Sequence, residues 1–395
     1  MSSVFPLELV DIVLDFLHDD RRVLGRISLV SSTWAISARH HLFYRLEIKN
    51  LSELYDFILK DGRLHLTPYV QILAIRPSRT ESMTSFPLDK FVSLIGGFPN
   101  LQQLDMPSVR IRHTPIVHSH IPTLKTLHMS YNWIGNQEIV GDVKEAHSLW
   151  RVLSLFPRVE NLHLCLTKSI LDNNPPESPS YFTPRSSVDN LILDDRISGS
   201  ITRLLQATID LPNVRTLSVV SPFQIYIPPL AQFLRLVPQV RDLTIHLPAK
   251  GSPDNPEPEW KLLQLDTTLP LLSSFTLQFA PDGWENDDRI LIPVLILSTA
   301  REIPCFKVIN IEPILSQRVW LNKSTSALTD IDWAHAAHYL SQFKELQMIT
   351  IRVRYRSQMS TYRTRVVKIP PHIKDLIQKG FSALPSRVQL VISDV

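Results

Sequence analysis

The chain has 395 residues, 44% of them hydrophobic and 20% charged, with a formal net charge of +3; such a balance belongs to a folded protein and gives no long-range pull toward nucleic acid or an anionic bilayer. Glycine supplies 10 residues and proline 30; glycine is far below its usual share of ~7%, and the isolated Gly96-Gly97 pair is no phosphate-cradling loop, which argues against nucleotide chemistry. The two cysteines, Cys165 and Cys305, build no disulfide framework, and the longest apolar stretch, Ile290 to Ala300, is broken by Pro293 and falls short of the ~20 residues that span a bilayer. Glu8, Asp11 and Asp15 interrupt the first apolar run, so it does not read as a signal peptide, and an intracellular place in cytoplasm or nucleus is expected.

The first predicted element covers residues 5 to 17, where Leu9, Val10, Ile12, Val13, Phe16 and Leu17 recur at helical spacing. Pro6 suits a helix start, and Glu8 and Asp11 complement the positive end of the helix dipole. His18-Asp19-Asp20 breaks the pattern. A second helix is expected from Arg22 to Leu29, with Val23, Leu24 and Ile27 inward. Ser31 or Ser32 then caps a third, which carries Trp34, Ala38, His41 and Leu42 on one face. Three such helices remove too little surface from water to be stable alone, so the unit needs a partner surface.

The run from Phe5 to Leu46 resembles an F-box. The residues that carry the resemblance are Phe5-Pro6-Leu7-Glu8-Leu9, Ile12-Val13-Leu14, Leu17, Leu29-Val30-Ser31, Trp34 and Leu42-Phe43 before Leu46. Phe5 stands where Leu is usual, and no Cys precedes Trp34. The resemblance implies docking on a Skp-type adaptor, and through it on a cullin, by Phe5, Pro6, Leu7, Glu8, Leu9, Ile12, Val13, Leu29, Val30, Trp34 and Leu42. The alternative is a helical cap that only shields the end of the array behind it.

From residue 68 onward one pattern returns: proline, any residue, an apolar residue, two more, leucine or an equivalent, any residue, an apolar residue. It reads PYVQILAI from Pro68, PNLQQLDM from Pro99, PTLKTLHM from Pro122, PRVENLHL from Pro157, PNVRTLSV from Pro212, PQVRDLTI from Pro238, PLLSSFTL from Pro270 and PCFKVINI from Pro304. Copies without the leading proline or with looser spacing start at Ser186, Lys344 and Pro385. The closing alternation predicts a short strand in each copy. Amphipathic segments from Leu88, Ser148, Ile201 and Ala334 precede several copies, so the unit is helix, proline-led turn, strand; proline ends the helix and favours extended backbone before it. Stacked right-handed crossovers of this kind give a parallel sheet with outer helices. The fold class expected is therefore α/β, with the F-box-like helical domain at 1–48 and an irregular solenoid at 49–395 that resembles divergent leucine-rich repeats. Its copies are spaced by roughly 20 to 40 residues, against the ~20–29 of regular repeats. Residues 168–187 and 248–259 are polar, proline-rich insertions.

No nucleophile elbow, metalloprotease helix or phosphate loop is present, and neither His113, His118 and His120 nor Cys165 with His163 is accompanied by the further groups that metal binding or catalysis needs. No catalytic residue, metal or cofactor is expected. Arg352, Arg354 and Arg356 alternate, and a reversal around Gln358 to Thr361 would bring Arg363, Arg365 and Lys368 beside them as a basic two-stranded ribbon. That ribbon suits either an acidic or phosphorylated client or a charge-blocked sheet edge. The aromatic interleaving that nucleic acid would want is limited to Tyr355 and Tyr362. Polar residues flanking the inward leucines, including Gln103, Asn161, Ser218, Thr244, Gln278 and Asn310, would line an open face. The client-binding set read from that face and the ribbon is Asp105, His128, His163, Asp194, His246, Arg352, Arg354 and Arg356. The function expected is a non-enzymatic substrate receptor of a Skp–cullin–F-box ubiquitin ligase, or else a solenoid scaffold for protein–protein interaction.

Overall fold

The computed structural model of the protein describes residues 6–17, 20–49, 51–55, 63–76, 85–107, 110–112, 123–131, 152–153, 155–166, 185–194, 197, 199–220, 227–247, 263–280, 303–316, 326–329, 331–356 and 364–393. Phe5, the His113–His120 group, residues 168–184, 248–259 and 290–300, the reversal at 358–361 and Arg363 lie outside them. The chain divides into two compact units, the first formed by Met1–Ser187 with Ala207–Ile209 and the second by Val188–Gln206 with Asp210–Val395. This division falls inside the repeat array.

The first unit opens with three helices: α1 (Leu7–Phe16), α2 (Arg21–Ile27) and α3 (Ser32–Phe43). Pro6 sits one position before α1, as its N-cap. The Asp20 carboxylate accepts from the amides of Arg22 and Val23, at 3.1 and 3.0 Å, and so starts α2. Ser31 Oγ accepts from the Trp34 amide at 3.2 Å and starts α3, with helix N-terminal donors that would otherwise lack partners satisfied by side chains. Val10, Leu14, Leu24 and Ala38 form a small core, with Leu17, Ile27, Trp34 and Leu42 packed against it. Burying such a side chain gives roughly 1.5–3 kcal/mol, while each ordered backbone residue costs about 1–2 kcal/mol. The helices therefore depend on the strands that succeed them in the chain.

The first of these strands, β1 (Arg45–Ile48), leaves α3 directly and pairs in parallel with β2 (Ile72–Ile75). The sequence pattern did not show β1, because its RLEI stretch lacks the proline-led turn that marks the later copies. Beyond β2 come β4 (Gln103–Pro107), β6 (Leu124–Tyr131) and β7 (Arg158–Leu166), each parallel to the one before. β3 (Ser85–Pro87) and β5 (Arg110–Arg112) pair separately, also in parallel. The second unit carries β8 (Ser187–Asp194), β9 (Thr216–Val220), β10 (Asp242–Leu247), β11 (Ser274–Phe279), β12 (Val308–Ser316), β13 (Met348–Arg352) and β16 (Gln389–Ser393), again parallel and in that order. Helices Leu88–Gly96, Gly199–Thr208, Trp333–Leu340 and Pro371–Gly380 precede β4, β9, β13 and β16. The architecture is thus α/β, built on parallel strands with intervening helices. Among the described residues no helix is long and apolar enough to cross a membrane.

The register reproduces the alignment of the sequence copies. Leu73, Leu104, Leu127 and Leu162 lie side by side in the first unit. Leu191, Leu217, Leu243, Phe275, Ile309, Ile349 and Leu390 do so in the second. All but Leu390 are essentially inaccessible to solvent, as are the residues three before them, such as Val70, Val214 and Leu346. A second regularity is independent of side chains: the carbonyl just before a strand accepts two amides from the next copy. Gln71 O receives the N–H groups of Gln102 and Gln103 at 2.8 and 2.9 Å, and Arg241 O those of Ser273 and Ser274 at 2.8 and 2.9 Å. A carbonyl has two lone pairs, so each fork satisfies two donors with one group. The turns are tied as well: Asn100 Nδ2 donates to Pro68 O at 2.7 Å and the Cys305 thiol to Pro270 O at 3.3 Å, each from the residue immediately after the next copy's proline. In the second unit a Cβ at Gly380 would lie 2.5 Å from the Cβ of Trp333, so only glycine allows that close approach.

Truncating one member of the aligned row tests this packing. Leu243→Ala should cost about 2–5 kcal/mol in urea denaturation monitored by circular dichroism. A loss below ~1 kcal/mol would mean that the row does not carry the core.

Candidate functional site

α1 has two apolar stripes. Val10, Leu14 and Leu17 turn into the small core, whereas Leu9, Ile12, Val13 and Phe16, at helical spacing i, i+3, i+4 and i+7, face outward. The helix therefore lacks the single buried face that its periodicity suggests. Among the described residues the exposed large apolar side chains concentrate here: Ile12 is 50% exposed, Phe16 and Leu29 are 86%, Val30 is 69% and Ile36 is 60%, and beyond residue 36 this group contains only Tyr44, Tyr55 and Leu271. Of the residues assigned to adaptor docking, Pro6, Glu8, Leu9, Ile12, Val13, Leu29 and Val30 are exposed. Trp34 and Leu42 are instead half-buried against the core. Leu7 opens α1, and Phe5 lies outside the described residues. Phe16 and Ile36 join the outward group although the F-box resemblance does not include them; heptad-like spacing from Leu9 points to Phe16.

A polar row crosses the open sheet face of the first unit. Glu47, Ala74, Asp105, His128 and His163 are register partners from β1 to β7. Arg76 reaches over the small, buried Ala74, its Nε 3.2 Å from Glu47 and its Nη2 3.7 Å from Asp105. Asp105 lies 2.8 Å from His128 Nδ1, and the His128 and His163 rings stack at 4.3 Å. Burial raises the Asp105 pKa, but the His128 hydrogen bond and the charges of His128, Arg76 and Arg45 outweigh it, so the carboxyl titrates below its ordinary value. The three residues read as client-facing in this unit are therefore brought together.

The second unit has its own row at the C-terminal ends of its strands: Asp194, Val220, His246, Gln278 and Glu312 are register partners from β8 to β12. Asp194 and His246 are buried, so neither offers an open surface. Glu312 is buried too and collects several donors. Arg354 contacts both its oxygens, Nε at 2.7 Å from Oε2 and Nη2 at 3.3 Å from Oε1, and Gln278 Nε2 donates to Oε2 at 2.8 Å. Arg352 Nη1 stands farther off, 3.7 Å from Oε1. Arg354 is thus committed to the fold rather than presented to solvent. Glu312 is absent from the set read from the sequence, although aligning PCFKVINIE with KELQMITIR places it opposite Arg352.

The ribbon forms: β14 (Arg354–Arg356) pairs antiparallel with β15 (Thr364–Val366) and parallel with β12 at Ile314–Ser316. The register between β12 and the β13–β14 stretch is interrupted at Glu312 and Pro313, where proline has no amide to give to a ladder. Arg356 pairs through its backbone with Thr364 and Ser316. Among the described residues no group of His, Cys, Asp or Glu is arranged to hold a metal ion. Cys165 is buried and free of any disulfide.

The Asp105 environment fixes a pH dependence. A carboxyl whose folded pKa is depressed stabilises the fold above its unfolded value and loses that contribution as pH falls through the folded value. Asp105→Asn should therefore lower stability at pH 7 by about 1–2 kcal/mol, and the urea midpoints of the two proteins should converge in acid. A gap that stays constant down to pH 3 would contradict the assignment. No family model matches the chain, and a search of curated proteins gives no match.

Proposed function

We propose that the chain is the substrate receptor of a Skp–cullin–F-box ubiquitin ligase, with α1–α3 as its F-box and the strand-and-helix array as a divergent leucine-rich-repeat-like client holder. The observation that carries this reading is the outward stripe of Leu9, Ile12, Val13 and Phe16, with Leu29, Val30 and Ile36, on a helical unit whose own core is small. Apolar side chains concentrated this way mark a surface that a partner covers. The F-box-like residues Pro6, Glu8, Leu9, Ile12, Val13, Leu29 and Val30 are each exposed, which supports this reading. The mechanism is positioning: β1 ties the helices to the first unit's sheet, the adaptor takes the helices, and the array holds a client whose lysine is brought to a ubiquitin donor. The chain itself makes and breaks no bond in this account, and it works inside the cell, where the ligase is.

The same β1–β2 pairing favours a scaffold whose helices cap one end of a sheet. An end cap presents a polar outer face, and this one presents leucine, isoleucine and phenylalanine, so adaptor docking is the stronger reading. Capture of the intact chain on an immobilised Skp-type adaptor separates the two. Ile12→Asp with Val13→Asp should reduce capture by about tenfold or more while leaving the circular dichroism spectrum unchanged, since both side chains are already exposed. An intact, folded chain that the adaptor does not retain would remove the ligase reading and leave the scaffold.

A further inference from the structure

We propose that Arg352, at the C-terminal end of β13, is the anion-reading side chain of a binding site for an acidic peptide segment, whose Asp or Glu carboxylate it engages. Two guanidinium groups share one buried carboxylate: Arg354 contacts both oxygens of Glu312, Gln278 donates to one of them, and Arg352 is left with a single 3.7 Å approach. Among the described residues two guanidinium groups therefore face one carboxylate, and Arg352 is the less engaged of the two. Its side chain is 39% exposed, yet its Nε is buried and meets no acceptor among the described residues. A guanidinium that is only loosely engaged is matched by a bidentate oxyanion, which takes two parallel N–H groups at once.

Arg352 is also free to serve a ligand without loss of the fold. Arg354 alone keeps Glu312 paired, so the charge balance of the buried cluster survives removal of Arg352. By contrast, Glu312 is a positioning residue: it fixes Arg354 and thereby the start of the ribbon. The proposal deepens the client-holding half of the functional reading, and it does not need the adaptor half.

The test uses the full chain without adaptor and a fluorescein-labelled peptide of alternating Glu and Gly, with fluorescence anisotropy read at low and physiological salt. A peptide with Gln in place of Glu and one with phosphoserine in place of Glu serve as comparisons. The Glu peptide should bind more tightly than the Gln peptide, and binding should weaken with salt. Arg352→Gln should lower its affinity about tenfold, and Arg352→Lys should recover part of that loss, because an ammonium keeps the charge without the planar fork. Arg215→Gln, an exposed arginine on the same unit, should change nothing, and the melting temperature of Arg352→Gln should stay near that of the parent. Equal affinity for the Glu and Gln peptides, or an Arg352→Gln variant within twofold of the parent, would overturn the proposal. So would binding restricted to the phosphoserine peptide, which would make the partner a phosphorylated one. Because no adaptor is present, failure here leaves the capture result untouched.

Discussion

A strand alternates its side chains between two faces, so a slip of one residue against its neighbour turns a buried leucine outward. Every copy in this chain therefore depends on keeping the inward position opposite the inward position of the copy before it. The register does so without exception across β2, β4, β6 and β7, and again from β8 to β16. The forked carbonyls just before the strands hold this alignment through backbone alone, which is why the residue there is free to be Gln71, Arg241, Ser273 or Lys307.

That constraint explains what the sequence made legible. Apolar residues three before and two after each inward leucine survive as a pattern even when the helices and loops between copies vary in length, because burial tolerates Leu, Ile, Val or Phe but not a charge. The proline-led turn marks the copies because proline cannot continue a helix beyond its first turn. β1 carries no such mark, because it comes after α3 without a proline-led turn. The outward orientation of the second apolar stripe on α1 was also hidden: spacing alone shows that Leu9 and Val10 are both apolar, and only packing shows that Val10 goes in and Leu9 stays out.

The same constraint fixes where chemistry collects. Residues that alternate with the inward positions are released from core packing, and neighbouring copies bring them into rows. In the first unit this yields Glu47, Asp105, His128 and His163, with Arg76 bridging the two carboxylates. At the ends of the second unit's strands the row becomes buried, and a buried charge must be paired. Glu312 answers to Arg354, and Arg352 stands farther off. The sequence showed the alternating arginines; their unequal roles come from a glutamate one strand away.

The outward apolar stripe of the N-terminal helices is proposed as a docking surface. Titration calorimetry of the intact chain with a Skp-type adaptor at several temperatures tests it most directly, since apolar burial on association makes the heat-capacity change negative. One-to-one binding whose enthalpy falls steadily with rising temperature is expected. No binding, or binding with an enthalpy independent of temperature, would contradict it.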